Sequence, residues 1–189
     1  MEKIVLASKS PRRRELLSQL FCDFEVIVKD VDEALPEWIN IREGTELLAI
    51  KKGKAVADTL PWDYLIISSD TLVELDGMAL GKPVDKSDAY KMLTSLSGRA
   101  HNVHTGVAVH YRGECYSGVA TTGVYFRPLT DKEILDYIDT GEPMDKAGAY
   151  GIQGLGGAFV ERFDGDFDTV VGLSLALTKE LIESARRGK

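Results

Sequence analysis

Three stretches of this sequence carry residue types and spacing suited to ligand binding or catalysis. The first is Ser8-Lys9-Ser10-Pro11-Arg12-Arg13-Arg14. Ser10 suits a helix N-cap and Pro11 the first helical position. Three arginines then fall in the first turn, where the macrodipole disfavours each cation by roughly 0.3–1 kcal/mol. An anion placed there removes the conflict, since free backbone N–H groups and the guanidinium forks of Arg12 and Arg13 would cradle phosphate oxygens. The alternative is a solvated basic patch, and at least one of the three is expected to face solvent. The second stretch is Ser68-Ser69-Asp70-Thr71, at the end of an apolar run. A carboxylate at the carboxyl end of a sheet strand faces the crevice where α/β ligands bind. Asp70 there could hold a divalent cation or accept a proton from water, or it could cap a turn.

The third stretch, Glu142 to Gly154, is too glycine-rich for a helix or a strong strand interior and is hard to explain as packing. Its glycines would allow close backbone approach to a ligand. Gln153 brings one acceptor and two donors, which suits a base edge such as uracil or thymine, or else it is a polar loop residue. Two smaller signals accompany these. Asp32-Glu33 is an acidic pair beside a turn, ordinarily solvent-facing. Gly77 to Pro83 looks like a phosphate-binding loop but fails: its glycines are too close and Pro83 stands where Ser or Thr is needed. Lys82 could still reach a phosphate as a point charge, or simply be solvated. His101 and His104 sit three apart in an expected strand and so point to opposite faces, which argues against their sharing a metal.

The elements needed to position these groups are legible from periodicity. Strands are expected at 3–7, 24–28, 64–69, 103–111, 118–126 and 158–162, with an Asp76-Gly77 hairpin turn. Helices are expected from Pro11 to about Leu20, at 45–58 despite Gly53, at 85–96, from a Thr130/Glu133 capping box to about Asp139, and at 174–187 with Gly188 ending the last. Gly53 costs roughly 1 kcal/mol relative to Ala in a helix interior. Strands and helices interleave, so the class is α/β or α+β with a mixed sheet.

Composition narrows the partners. The 189 residues are 44% hydrophobic and 28% charged, with formal net charge -7. That suits one globular domain over 1–189, and it disfavours nucleic acid, whose binding rests on Lys and Arg neutralising phosphates. Cys22 and Cys115 lie too far apart in a two-cysteine chain to read as a disulfide framework or zinc site, so two reduced thiols are expected. The N-terminus MEKIVLASKS lacks the apolar run of a signal peptide or membrane span, which points to the cytoplasm and away from membranes.

Taken together, LASKSPRRRELL at 6–17, VDE at 31–33, SSDTLV at 68–73, GKP at 81–83, LSGRAHNVHTGVAV at 96–109, EPMDKAGAYGIQG at 142–154 and DGDFDTVVGL at 164–173 resemble the Maf family of nucleotide pyrophosphatases, in family order and over nearly the whole chain. The resemblance implies a mixed α/β fold with an elongated sheet, flanking helices and two lobes around a cleft, similar to inosine-triphosphate pyrophosphatases. It implies cleavage of a nucleoside triphosphate between the α- and β-phosphates with Mg²⁺ or Mn²⁺, and assembly as a homodimer. Asp70 matches the family's proton acceptor and Glu33 a carboxylate near the metal. Ser8, Arg13, Lys52 and Lys82 match phosphate contacts, while Arg13, Thr71 and Gln153 match positions tied to substrate choice. That combination is similar to the branch acting on dTTP and UTP, with modified pyrimidine triphosphates as near alternatives. A house-cleaning role, or the family's link to septum formation and division arrest, leaves a non-hydrolysing nucleotide sensor as the rival, against which the two acids Glu33 and Asp70 argue. Relatives usually have Ala at 53 and Pro at 174. Gly53 is therefore expected to loosen its helix, and Ser174 to be harmless as an N-cap.

Overall fold

The computed structural model of the chain describes residues 2–36 and 38–188. In chain order the elements are β1 (Ile4–Leu6), α1 (Pro11–Ser18), β2 (Glu25–Val26), α2 (Ile41–Ala57), β3 (Leu65–Leu75), β4 (Met78–Leu80), α3 (Lys86–Leu96), β5 (Ala100–Tyr111), β6 (Glu114–Phe126), α4 (Asp131–Asp139), β7 (Val160–Asp164), α5 (Phe167–Val171) and α6 (Leu175–Arg187). Short 3₁₀ turns at Glu142–Asp145 and Ala147–Ala149 lie in the glycine-rich stretch, and a third at Leu155–Phe159 follows it. The seven strands form one sheet in the order β2-β1-β3-β5-β6-β7, with β4 paired to β3 off this path. β1 runs parallel to β2 and β3, whereas β3–β4 and β6–β7 are antiparallel, so the sheet is mixed. The fold is α/β, as the alternation of elements requires.

Two compact units share the chain. The first comprises residues 1–70, 105–120 and 172–189, and the second residues 71–104 and 121–171. In the first, Val5, Ala7, Val56 and Ile66 pack with the partly buried Ile27, Leu60 and Tyr64. Ser10 caps α1, accepting from Arg13 N, and Ser174 caps α6, accepting from Leu177 N. Gly188 ends α6 in the left-handed region at φ 69°.

In the second unit the core gathers Val73, Leu75, Leu93, Leu96, Val103, Phe126, Ile134, Ile138 and Phe159 from strands and helices that cover one another. The Thr130/Glu133 capping box forms in full, and Asp76-Gly77 turns β3 into β4 with both φ angles positive, at 53° and 77°.

Two expectations need correction. Asp70 does not end its strand: β3 continues through Asp70 and Thr71 to Leu75, so Asp70 caps no turn. Gly53 does not loosen α2 either. A Cβ there would meet Ser68 Oγ and lie 2.5 Å from His110 Cδ2. The glycine lets the helix close on its sheet. Gly53→Ala should therefore lower the melting temperature despite Ala's better helix propensity of about 1 kcal/mol. A melting temperature raised by the substitution would contradict the close approach.

His101 and His104 each have their own partners in the second unit. His104 lies between Thr121 Oγ1 at 2.8 Å and Glu74 Oε2 at 2.6 Å. His101 Nε2 is 2.8 Å from the Tyr150 hydroxyl, while its buried Nδ1 has no hydrogen-bond partner among the described residues. Burial lowers the His101 pKa to about 4. The ordinary value of 6.5 describes the unfolded chain, which therefore binds the extra proton first. The neutral ring's contribution is complete above pH 6.5 and is lost as pH falls toward 4. The difference corresponds to about 3 kcal/mol. Denaturant titrations should find stability falling across that window, and His101→Phe should flatten the slope there. An unchanged slope would show that the folded state charges this histidine without penalty.

Candidate active site

In the first unit, β3 carries Ser68 and Ser69, both fully buried, and then Asp70, 7% exposed. Ser68 Oγ donates to Ala49 O of α2 at 2.7 Å, and this bond pins the helix to the strand. Three residues further along α2, Lys52 reaches Asp70. Its Nζ lies 2.5 Å from Asp70 Oδ1 and 3.0 Å from Glu33 Oε1. Two carboxylates 37 residues apart in sequence thus converge on one cationic nitrogen. Glu33 is the more exposed of the two, with 60% of its side chain accessible against 10% for Asp70.

The segment that brings Glu33 there is held by the neighbouring lysine. Lys51 Nζ donates to Asp32 O at 3.3 Å and to Ala34 O at 3.0 Å, the two carbonyls flanking Glu33. Asp32 Oδ1 accepts from Ala34 N at 2.9 Å, closing a local turn. Lys51 and Lys52 therefore divide the work: one fixes the backbone and the other pairs with the acid. Sequence reasoning found Lys52 and missed Lys51, whose only signal was its place next to Lys52 on a helix facing that segment.

Arg13 sits in the first turn of α1 and turns inward. Its Nε donates to Gly172 O at 2.8 Å, and its Nη1 to Ser69 O at 2.7 Å and Ser8 Oγ at 3.3 Å. Ser69 Oγ donates to the same Gly172 carbonyl at 2.9 Å. Burial lowers the Arg13 pKa, and the Asp70 charge opposes that fall. A guanidinium stays protonated through such shifts. One arginine thus ties the residue preceding Asp70 to Ser8 and to the chain entering α6. Neither carbonyl was visible as a partner in the sequence, because both are backbone atoms distant along the chain. Ser8 is buried, and its Oγ also accepts from Ser10 N at 3.3 Å. Arg12 is half-buried on the same turn and Arg14 faces solvent.

The remaining candidates belong to the second unit. Thr71 directly follows Asp70 on β3 and is half-buried. Lys82 is exposed, in a segment anchored by Gly148 N donating to Gly81 O at 3.0 Å and by buried Pro83. Gln153 is exposed at the tip of a turn closed by Gly154 N donating to Gly151 O at 3.2 Å. The glycines beside it also serve packing, which their sequence alone does not show. A Cβ at Gly154 would collide with the Glu142 carboxylate, and one at Gly156 would lie 2.6 Å from the Tyr137 hydroxyl. Cys22 and Cys115 are both free and exposed. No helix is long and apolar enough to cross a membrane among the described residues.

Comparison with known proteins shows the family of the chain. Residues 3–185 match the family described as Maf-like protein. A relative from Bdellovibrio bacteriovorus, named dTTP/UTP pyrophosphatase, is 46% identical over 95% of this chain and 96% of its own. One of the same name from Vibrio cholerae is 47% identical over 96% of this chain and 97% of its own. The Staphylococcus aureus Ham1 protein, a solved structure, covers 66% of this chain and 72% of its own at 21% identity, with a TM-score of 0.46, too remote a likeness to bear on function. With a family match from near the first residue to near the last, and relatives close to half identical end to end, the chain belongs to the Maf-like protein family.

Proposed function

We propose that this protein hydrolyses nucleoside triphosphates, dTTP and UTP foremost, to the monophosphate and pyrophosphate. The observation that carries the reading is the convergence of Asp70 and Glu33 on Lys52 Nζ, beside an arginine bonded to the carbonyl of Ser69 just before Asp70. Pure anion binding gains little from two carboxylates, whereas hydrolysis needs a proton acceptor together with charge neutralisation. The shared name of the relatives supplies the substrate.

In this mechanism Lys52 and Arg13 supply positive charge to the triphosphate, with Ser8, Arg12 and Lys82 as further phosphate contacts. Asp70 takes a proton from the water that attacks the α-phosphorus. The bond to the bridging oxygen breaks, and pyrophosphate leaves with its charge matched by the cations. Asp70 is suited to the task because Lys52 orients its carboxylate while Arg13 fixes the backbone just before it. Gln153 reads the base edge, with Thr71 and Arg13 contributing to substrate choice.

Two carboxylate oxygens drawn to one point fit Mg²⁺ or Mn²⁺, which favour hard oxygen ligands and fill their shell with water and substrate phosphates. Glu33 and Asp70 would hold the ion, and Lys52 would then turn toward phosphate. The metal would supply further neutralisation of the triphosphate charge. No cluster of three or more His, Cys, Asp or Glu suited to a metal occurs among the described residues, so substrate oxygens would have to complete the shell.

The reading places the protein in the cytoplasm, where its substrates are, and as a homodimer. Leu155, Phe163 and Phe167, exposed at or near edge strand β7, are apolar surface that a second copy could cover. The deciding experiment is a screen of nucleoside triphosphates, including 5-methyl-UTP and pseudo-UTP, for pyrophosphate release with and without Mg²⁺ or Mn²⁺. Metal-dependent release from dTTP and UTP above purine triphosphates is expected. Tight nucleotide binding without release would instead make the protein a sensor.

A further inference from the structure

The loop that presents Gln153 is held by one carboxylate and one hydroxyl. Glu142 Oε2 accepts from Leu155 N at 3.0 Å, and Glu142 Oε1 accepts from Gly156 N at 3.2 Å and from the Tyr137 hydroxyl at 2.9 Å. The Tyr137 oxygen in turn accepts from Gly151 N at 3.2 Å. Backbone amides on both sides of Gln153, at 151, 155 and 156, therefore end on the same two side chains and on no sheet or helix ladder. The backbone of Glu142 is itself held, since Lys146 Nζ donates to its carbonyl at 2.8 Å. Tyr137 is anchored from α4, buried edge-on against Phe159 with ring centroids 5.0 Å apart.

The close approaches at Gly154 and Gly156 leave no room for side chains between the loop and this pair. Burial alone would raise the Glu142 pKa. The Leu155 and Gly156 amides, the Tyr137 hydroxyl and nearby Lys146 outweigh it and hold the carboxyl below its ordinary value. The acid is thus in its accepting form at neutral pH. A carboxylate with three donors on it is a stronger tie than neutral hydrogen bonds would make.

We propose that Glu142 and Tyr137 are positioning residues for base selection: they fix the turn bearing Gln153 so that its amide meets the base in one orientation, without themselves touching substrate. This rests on the proposal that Gln153 reads the base. Glu142→Gln is nearly isosteric, but its amide nitrogen cannot accept, so either Leu155 N or the Gly156–Tyr137 side loses its acceptor. Tyr137→Phe keeps the ring packing and removes the hydroxyl, and so serves if the first variant does not fold.

The test is steady-state kinetics with dTTP, UTP, dCTP and dATP, for wild type, both variants and Gln153→Ala, alongside amide exchange at 151–156. Both positioning variants should raise KM for dTTP and cut its preference over dCTP by about tenfold, the loss of one well-made hydrogen bond, with kcat little changed. Exchange at 151–156 should quicken. If Gln153→Ala erodes discrimination while both positioning variants keep it, this inference fails and base reading by Gln153 stands. If Gln153→Ala itself leaves discrimination intact, base reading by Gln153 fails and the inference falls with it. Equal loss of kcat for every base in both positioning variants would mean general collapse of the unit, and would also overturn the inference.

Discussion

Asp70→Asn should lower kcat for dTTP by about 10²–10⁴-fold, the range that a positioned general base contributes. The substitution keeps the size of the side chain and its hydrogen-bonding reach to Lys52, but removes the charge and the capacity to take a proton. Asp70 is 7% exposed and its neighbours Ser68 and Ser69 are fully buried, so solvent has little access with which to replace it. Lys52 also keeps Glu33 at 3.0 Å, and triphosphate affinity should be largely preserved. The effect belongs in kcat rather than in KM, which single-turnover kinetics with bound dTTP can separate. A variant with near-wild-type turnover would remove Asp70 from the chemistry.

The second large effect is expected at Arg13, and it should combine stability with activity. Arg13→Lys keeps the positive charge but loses the fork. A single ammonium on a flexible stem cannot serve Gly172 O, Ser69 O and Ser8 Oγ at once. Gly172 O retains the Ser69 hydroxyl, whereas Ser69 O loses its guanidinium donor. Hydrogen bonds to charged groups contribute about 1.5–3 kcal/mol each, so a loss of about 2–4 kcal/mol is expected, or a melting temperature lower by roughly 5–15 °C. Turnover at a temperature where the variant is folded should also fall, because the strand backbone just before Asp70 has lost its tie. Wild-type melting and turnover in Arg13→Lys would mean that charge alone is what this position supplies.

How much of this was legible beforehand follows the range of the interactions. Local devices were read correctly because their signals lie within a few residues: the Ser10 cap with Pro11, the Thr130/Glu133 capping box, the Asp76-Gly77 turn and Gly188 at the end of α6. The apolar repeat starts this helix at 45, whereas α2 begins at Ile41 behind Asn40, which accepts from Glu43 N and is a cap of the same kind. α5, Phe167–Val171, is too short at five residues to show a helical repeat in the sequence. Strand β3 was cut short at Asp70 because a polar run of Ser, Ser, Asp and Thr imitates a strand end. Buried partners such as Ala49 O and Gly172 O satisfy those polar groups within the strand, and they cannot be seen from the strand's own sequence.

The site was legible as a set of residue types and illegible as a set of contacts. Asp70, Glu33 and Lys52 were named from sequence, and the structure brings all three together. Lys51 and the carbonyls that hold Arg13 were not foreseen, since their roles depend on backbone atoms 17 to 159 residues away. Gly53 and the glycines beside Gln153 were read for conformation or ligand approach. Their steric role is revealed only by the neighbouring side chains.

The most direct test lets the protein turn over dTTP in ¹⁸O-labelled water and locates the label in the products. Water activated by Asp70 and attacking the α-phosphorus places one ¹⁸O in dTMP and none in pyrophosphate, and Asp70→Asn slows formation of the labelled dTMP by about 10²–10⁴-fold. Label in the pyrophosphate, or labelled dTMP formed as fast by Asp70→Asn, would contradict hydrolysis at this cluster.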